Sequence, residues 1–200
     1  MKVLILGGFL GSGKTSLLVK LAKHVIGDDD SKKSKIVIIE NEVGEAGVDD
    51  ATLSGTGLKV KDMFAGCICC SLAGQIVPAL REIEESYDPD LVIIETTGVA
   101  FPNQVKTTIS SMMPDLETRI CVIVDSKRWP KIKRAMAMLL EGQMEGANAI
   151  LINKIDLADE ESVAMAVNDV SAINPDAPVY KVSASMDIDG KIWDEILGDD

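Results

Sequence analysis

The sequence predicts an α/β fold in three layers, with a mainly parallel central sheet flanked by helices. Three observations carry that expectation. Short apolar runs recur along the chain and are continuous rather than alternating, as strands covered on both faces are. Between them lie segments with helical spacing, such as Ile132, Ala135, Met136, Leu139, Leu140 and Met144. A glycine-rich octapeptide, 8–15, joins the first apolar run to the first helical segment.

Val3–Leu6 is short and uninterrupted, so it reads as a buried strand. It leads through the glycines into a helix expected over 14–26, which gives way to a charged loop at Gly27–Ser34. Ile36–Ile39 is the second strand. The Gly-rich, acidic stretch 41–57 has no periodicity, and a loop of that length is functional or disordered. A strand is expected near 58–64 and a helix over 71–86. Pro78 either kinks that helix, because its ring clashes with the carbonyl of Gly74, or marks its true start. Leu91–Ile94 and Ile120–Val124 are strands of the buried kind, separated by a helix at 102–113. Helix 127–144 precedes the strand Ala149–Ile152. Helix 159–173 precedes a more broken run, Val179–Val182, and a last helix spans 189–197.

The chain has 20 basic and 32 acidic side chains among 200 residues, a net charge of −12. Nucleic-acid binding needs clustered Lys and Arg. The one short basic run, Lys127 to Arg134, is interrupted by Trp129 and other apolar residues, and seven aromatics offer few stacking platforms. No nucleic-acid partner is therefore expected. No apolar run approaches the roughly 18 residues of a membrane span, and Val3–Leu6 is too short for a signal peptide. A cytoplasmic protein without a membrane partner is expected. A 46% apolar composition suits one core, so 1–200 is expected to be a single domain with no separate C-terminal domain.

Gly8-Phe9-Leu10-Gly11-Ser12-Gly13-Lys14-Thr15 matches G-x-x-x-x-G-K-[ST] between a strand and a helix, the context the motif requires. Its glycines let the backbone N–H groups of Gly8, Gly11, Ser12 and Gly13 turn toward a β-phosphate at the helix N-terminus, where Thr15 and Ser16 follow. Lys14 reaches the β and γ oxygens, and Thr15 holds Mg²⁺. A second Mg²⁺ partner is needed at the end of a neighbouring buried strand. Glu95, after Leu91–Ile94, fills that place, acting through a water, and Gly98 lends its N–H to the γ-phosphate. Lys14, Thr15 and Glu95 are the candidate catalytic residues of what is expected to be a P-loop NTPase fold.

Asn153-Lys154-Ile155-Asp156 follows the strand at 149–152. A carboxylate at Asp156 accepts hydrogen bonds from both N1–H and the exocyclic amine of guanine, whereas adenine presents an acceptor and no such amine there. Lys154 lays its stem along the base, and Asn153 braces neighbouring loops. Ser183-Ala184-Ser185, after the last strand, stands where a loop supports the guanine O6. The expected nucleotide is GTP.

Cys67, Cys69 and Cys70 lie within four positions ahead of a helical segment. Bridges between such close cysteines are strained, so a reduced compartment and a thiolate role fit better. Three thiolates converge on a soft or borderline cation such as Zn²⁺, and a helix starting near Ser71 lowers their pKa. Cys121, inside an apolar strand, reads as core.

With these residues in order, the sequence resembles the CobW/HypB/UreG family of P-loop GTPases, most closely its CobW-like branch. The resemblance is carried by Gly7 to Thr15, by Glu40-Asn41-Glu42-Val43-Gly44-Glu45 with Gly47 and Asp49, by Gly66-Cys67-Ile68-Cys69-Cys70, by Glu95-Thr96-Thr97-Gly98 and by Asn153-Lys154-Ile155-Asp156. A glutamate where other small GTPases have aspartate marks this family, and Glu95 fits. The resemblance implies a GTPase that binds a divalent transition metal, zinc or another, and helps deliver metal or a metal cofactor to a client protein. It also implies that the acidic segment after the second strand is a nucleotide-responsive switch, making Glu42 and Glu45 candidate metal or water-positioning residues. Two departures stand out: the chain stops at Asp200, where many members continue, and His24 is its only histidine, placed in the first helix as a surface or packing residue.

The leading expectation is slow hydrolysis of GTP to GDP and phosphate. No catalytic glutamine or arginine finger can be assigned, so a partner, a dimer mate or bound metal completes the site. A small-molecule kinase of the same fold is one rival. A non-enzymatic metal-binding module with structural GTP is the other.

Overall fold

The continuous apolar runs form one sheet in which every pairing is parallel. The computed structural model describes residues 1–27, 34–40, 59–62 and 68–199. Its strands are β1 (Lys2–Gly7), β2 (Ile36–Glu40), β3 (Lys59–Asp62), β4 (Leu91–Glu95), β5 (Thr118–Asp125), β6 (Ala149–Asn153) and β7 (Val179–Lys181). They lie in the order β3-β2-β4-β1-β5-β6-β7, so the first strand is central. The described helices are α1 (Lys14–Ile26), α2 (Ile68–Tyr87), α3 (Pro102–Met112), α4 (Trp129–Met144), α5 (Glu160–Ile173) and α6 (Gly190–Leu197).

Alternate residues of each strand face opposite layers. Val3, Ile5, Val92, Ile94, Val122, Val124, Ile150 and Ile152 pack in one core with α2, α3, α4 and α5. Leu4, Leu6, Ile36, Ile38, Ile93, Ile123 and Leu151 pack in the other with Leu17, Leu18 and Leu21 of α1 and Trp193 and Ile196 of α6. Covering on both faces is why the runs lack alternation. The three-layer expectation is met, and the mainly parallel sheet is parallel throughout its described pairings.

Element bounds differ from expectation in ways that matter at one place. α2 begins at Ile68 rather than near residue 71, so Cys69 and Cys70 belong to its first turn instead of preceding it. Pro78 lies inside this helix and is not its start. α4 carries a break at Met136, whose φ of −138° and ψ of 32° are not helical. No described helix is long and apolar enough to cross a membrane.

Because the sheet is parallel, the C-terminal ends of its strands share one edge. In register, Leu6 pairs with both Glu95 and Cys121, and Asp125 pairs with Asn153. Gly7, Glu95, Asp125 and Asn153 thus end their strands along a single crevice, where open α/β sheets bind ligands.

Candidate functional site

The chain leaves β1 at Gly7, turns through 8–13, and enters α1 at Lys14. Gly13 caps the helix in a left-handed conformation, φ 98°, and a Cβ there would fall 2.3 Å from Asn153 Nδ2. Only glycine meets both demands. Lys14 is 6% exposed. The loop folds its ammonium inward, where Nζ donates to the Gly8 carbonyl at 3.1 Å and stands 3.9 Å from Glu95 Oε1. Burial pushes the Lys14 ammonium below the ordinary lysine value, against the opposing pull of Glu95.

Thr15 and Glu95, 80 positions apart in sequence, meet directly. The Thr15 hydroxyl reaches both carboxylate oxygens, at 3.2 and 3.1 Å. One hydroxyl and one carboxylate beside a phosphate cradle form the oxygen-rich, incomplete ligand set that suits Mg²⁺, which takes its remaining ligands from water and phosphate. The cradle also retains unmet hydrogen-bonding capacity: Ser12 Oγ is buried without a partner, and so is Thr97 Oγ1 beyond the end of β4. Gly11 and Ser16 are exposed, and Gly98 is half-buried.

The 153–156 loop is bonded into the same rim. Asn153 is fully buried; its Nδ2 donates to the Ser12 carbonyl at 2.8 Å, and its Oδ1 accepts from the Ala184 N–H at 3.0 Å. That is the bracing role the sequence suggests. Lys154, at φ 64°, sends Nζ to the Gly11 carbonyl at 2.5 Å and to Asp125 Oδ2 at 2.8 Å. Asp156 is exposed, and its two oxygens accept from Ser183 Oγ at 2.6 Å and Ser185 Oγ at 2.9 Å. Those hydrogen bonds hold its carboxyl below the usual carboxylate range, so it is an acceptor-only group at neutral pH.

Three residues of this rim escaped sequence reasoning. Asp125 ends β5 at 2% exposure; burial alone would raise its carboxyl, but hydrogen bonds from Lys154 and Arg128 outweigh that and hold it low. Arg128 donates Nε to Asp125 at 2.7 Å and Nη2 to the Leu10 carbonyl. Gln143 of α4 bonds the Gly8 N–H. A strand-end acid followed by Arg128, and a glutamine beside Leu139, Leu140 and Met144, were the available signals.

Among the described residues, no group of three or more His, Cys, Asp or Glu stands ready to hold a metal ion. Cys67, Glu42 and Glu45 lie outside the described residues, and Cys69 and Cys70 are described only as backbone of α2. Cys121 is buried in the core, its thiol pushed up to about 12 by burial. His24 bonds Asp194 at 2.8 Å on the surface. Both agree with their expected packing or surface roles.

A parallel sheet whose central strand passes through a glycine loop into a helix, with a buried lysine at the turn, is the architecture of P-loop nucleotide-binding proteins. The chain belongs to the CobW/HypB/UreG nucleotide-binding domain family, whose model matches residues 2–181. Among its relatives, the zinc chaperone YjiA of Escherichia coli (strain K12) is 32% identical over 190 residues, covering 90% of this chain and 57% of the relative. The zinc chaperone CobW of a Sinorhizobium species is 28% identical over 201 residues, covering 84% and 54%. The crystal structure of Zn(II)-bound YjiA GTPase from E. coli superposes with a TM-score of 0.66 at 28% identity, over 94% of this chain and 59% of that one. The chain thus spans little more than half the length of these relatives.

Proposed function

We propose that this chain binds and slowly hydrolyses GTP, and that its nucleotide state governs transition-metal binding and the delivery of metal, or of a metal cofactor, to a client protein in the cytoplasm. The observation that carries the nucleotide half is the bonded rim. Asn153 and Lys154 tie the guanine-reading loop to Ser12 and Gly11, while two serines hold an ionised Asp156 at its edge. The names of the relatives, zinc chaperones and a zinc-bound GTPase, support the metal half.

In this reading the amides of Gly11 and Gly13 and the Lys14 ammonium bind the phosphate oxygens, Ser16 lies at the α1 N-terminus, and Gly98 faces the γ-phosphate; the amides of Gly8 and Ser12, expected beside them, instead donate to Gln143 Oε1 and to the Phe9 carbonyl. Thr15 and Glu95 would hold Mg²⁺, which when bound neutralises charge on the phosphates. Ser183 and Ala184 border the base, which Asp156 reads. Cys67, Cys69 and Cys70, with Glu42 and Glu45, are the proposed transition-metal ligands. Catalysis is positioning and charge stabilisation, completed by a client, a second copy of the chain or bound metal.

A nucleotide screen with phosphate release tests this function. GTP should bind at least about a hundredfold more tightly than ATP, the discrimination of roughly 3 kcal/mol that a pair of charge-assisted hydrogen bonds supplies, and phosphate should appear slowly. Preference for ATP with transfer to a small acceptor would make it a kinase. GTP binding without hydrolysis under saturating metal and client would make the nucleotide structural.

A further inference from the structure

Gln143 stands where α4 is otherwise apolar. It lies beside Leu140 and Met144, both core residues, and is itself 0% exposed. A buried primary amide needs partners for both of its ends, and this one finds them on two separate segments of the nucleotide rim. Its Oε1 accepts from the N–H of Gly8, the first residue of the phosphate loop, at 2.9 Å. Its Nε2 donates to the carbonyl of Ala100 at 2.5 Å.

Ala100 closes a tight turn, its N–H donating to the Thr97 carbonyl at 3.1 Å, with Gly98 and Val99 between. Gly98 presses against the phosphate loop: a Cβ there would fall 2.5 Å from the Leu10 nitrogen. The next residue, Phe101, packs on Gly142 of α4, where a Cβ would meet the ring at 2.4 Å. Loop and turn therefore touch directly at Leu10 and Gly98 and are tied a second time through one side chain.

We infer that Gln143 is a positioning residue that fixes the Thr97–Ala100 turn against the phosphate loop and thereby sets the preference for GTP over GDP. This rests on the guanine-nucleotide reading above. In that reading only the triphosphate extends to Gly98, so a residue that holds the turn acts on GTP and leaves GDP nearly unaffected. A residue that merely stabilised the fold would weaken both nucleotides alike.

The test uses the full chain and two neutral variants, so that no added charge acts on the phosphates. Gln143→Met keeps the volume and loses both hydrogen bonds; Gln143→Asn keeps the amide on a stem too short to reach both partners. Affinities for GDP and for a non-hydrolysed GTP analogue are measured in each. The ratio of GTP-analogue to GDP affinity should fall about fivefold or more in Gln143→Met and by less in Gln143→Asn, with GDP affinity held within about twofold. If the methionine variant does not fold, the asparagine variant decides alone. An unchanged ratio in the folded variants, whatever their melting temperatures, overturns the inference and leaves GTP binding standing. A parent protein that binds no guanine nucleotide overturns both.

Discussion

Replacing Lys14 by alanine is expected to abolish tight GTP binding while the protein stays folded. The ammonium is 6% exposed, and its recorded partners are one carbonyl at 3.1 Å and a carboxylate at the outer limit of an ion pair, 3.9 Å. Burial holds it below the ordinary lysine value, so it is a desolvated cation, which in the proposed reading meets the phosphate. Losing two charge-assisted hydrogen bonds to phosphate, at about 1.5–3 kcal/mol each, costs roughly 3 kcal/mol or more and at least about a hundredfold in Kd. The fold loses much less. Alanine removes a buried charge along with its bond to the Gly8 carbonyl, and Glu95 keeps the Thr15 hydroxyl. The melting temperature without nucleotide should stay within about 2–4 °C of the parent, the shift that ~1 kcal/mol produces in a chain of this size. Calorimetric titration and thermal unfolding check both halves, and retained micromolar affinity would contradict the phosphate-loop assignment.

The second large effect is a change of base. Asp156→Asn should weaken GTP by about a hundredfold, again ~3 kcal/mol, and should favour xanthosine triphosphate, whose carbonyl meets the new amide donor. The serine hydroxyls at Ser183 and Ser185 can accept as well as donate, so the asparagine keeps its place at the rim. The pH dependence has a definite sign. Since the folded carboxyl is held below the usual carboxylate range, its contribution to guanine binding is present above that range and is lost only as pH falls through the depressed value. GTP affinity of the parent should therefore show no Asp156 titration between about pH 5 and pH 7. A variant that still prefers GTP to the xanthosine nucleotide would move base reading to another residue.

Much of this was legible in the sequence because it is local. The continuous runs at 36–39, 91–94 and 149–152 announced a doubly covered parallel sheet, and the bounds 14–26 of the first helix agree with α1. The Gly-Lys-Thr sequence and the Asn153–Asp156 loop carry their chemistry in consecutive residues. What sequence did not reveal depends on strand order, which no spacing encodes. Arg128 reaches Leu10 across 118 positions, and Gln143 reaches Gly8 across 135. Only the placement of β1 beside β5, and of α4 on the same face, brings them together. The later start expected for α2 follows from the weak helix preference of cysteine.

The central claim is that nucleotide state and metal affinity are coupled, and zinc titration in the two nucleotide states tests it most directly. The segment 41–57 connects β2 to β3, and Cys67 lies between β3 and α2. In the proposed switch, a rearrangement of the first set by the γ-phosphate changes the surroundings of the thiolates. Coupling must be reciprocal, and its usual size of about 1–3 kcal/mol, or roughly 5- to 150-fold, is measurable. Zn²⁺ should bind more tightly to the protein loaded with a non-hydrolysed GTP analogue than to the GDP form, and the difference should vanish when Cys67, Cys69 and Cys70 are all replaced by serine. Equal zinc affinity in the two nucleotide states would contradict the coupling.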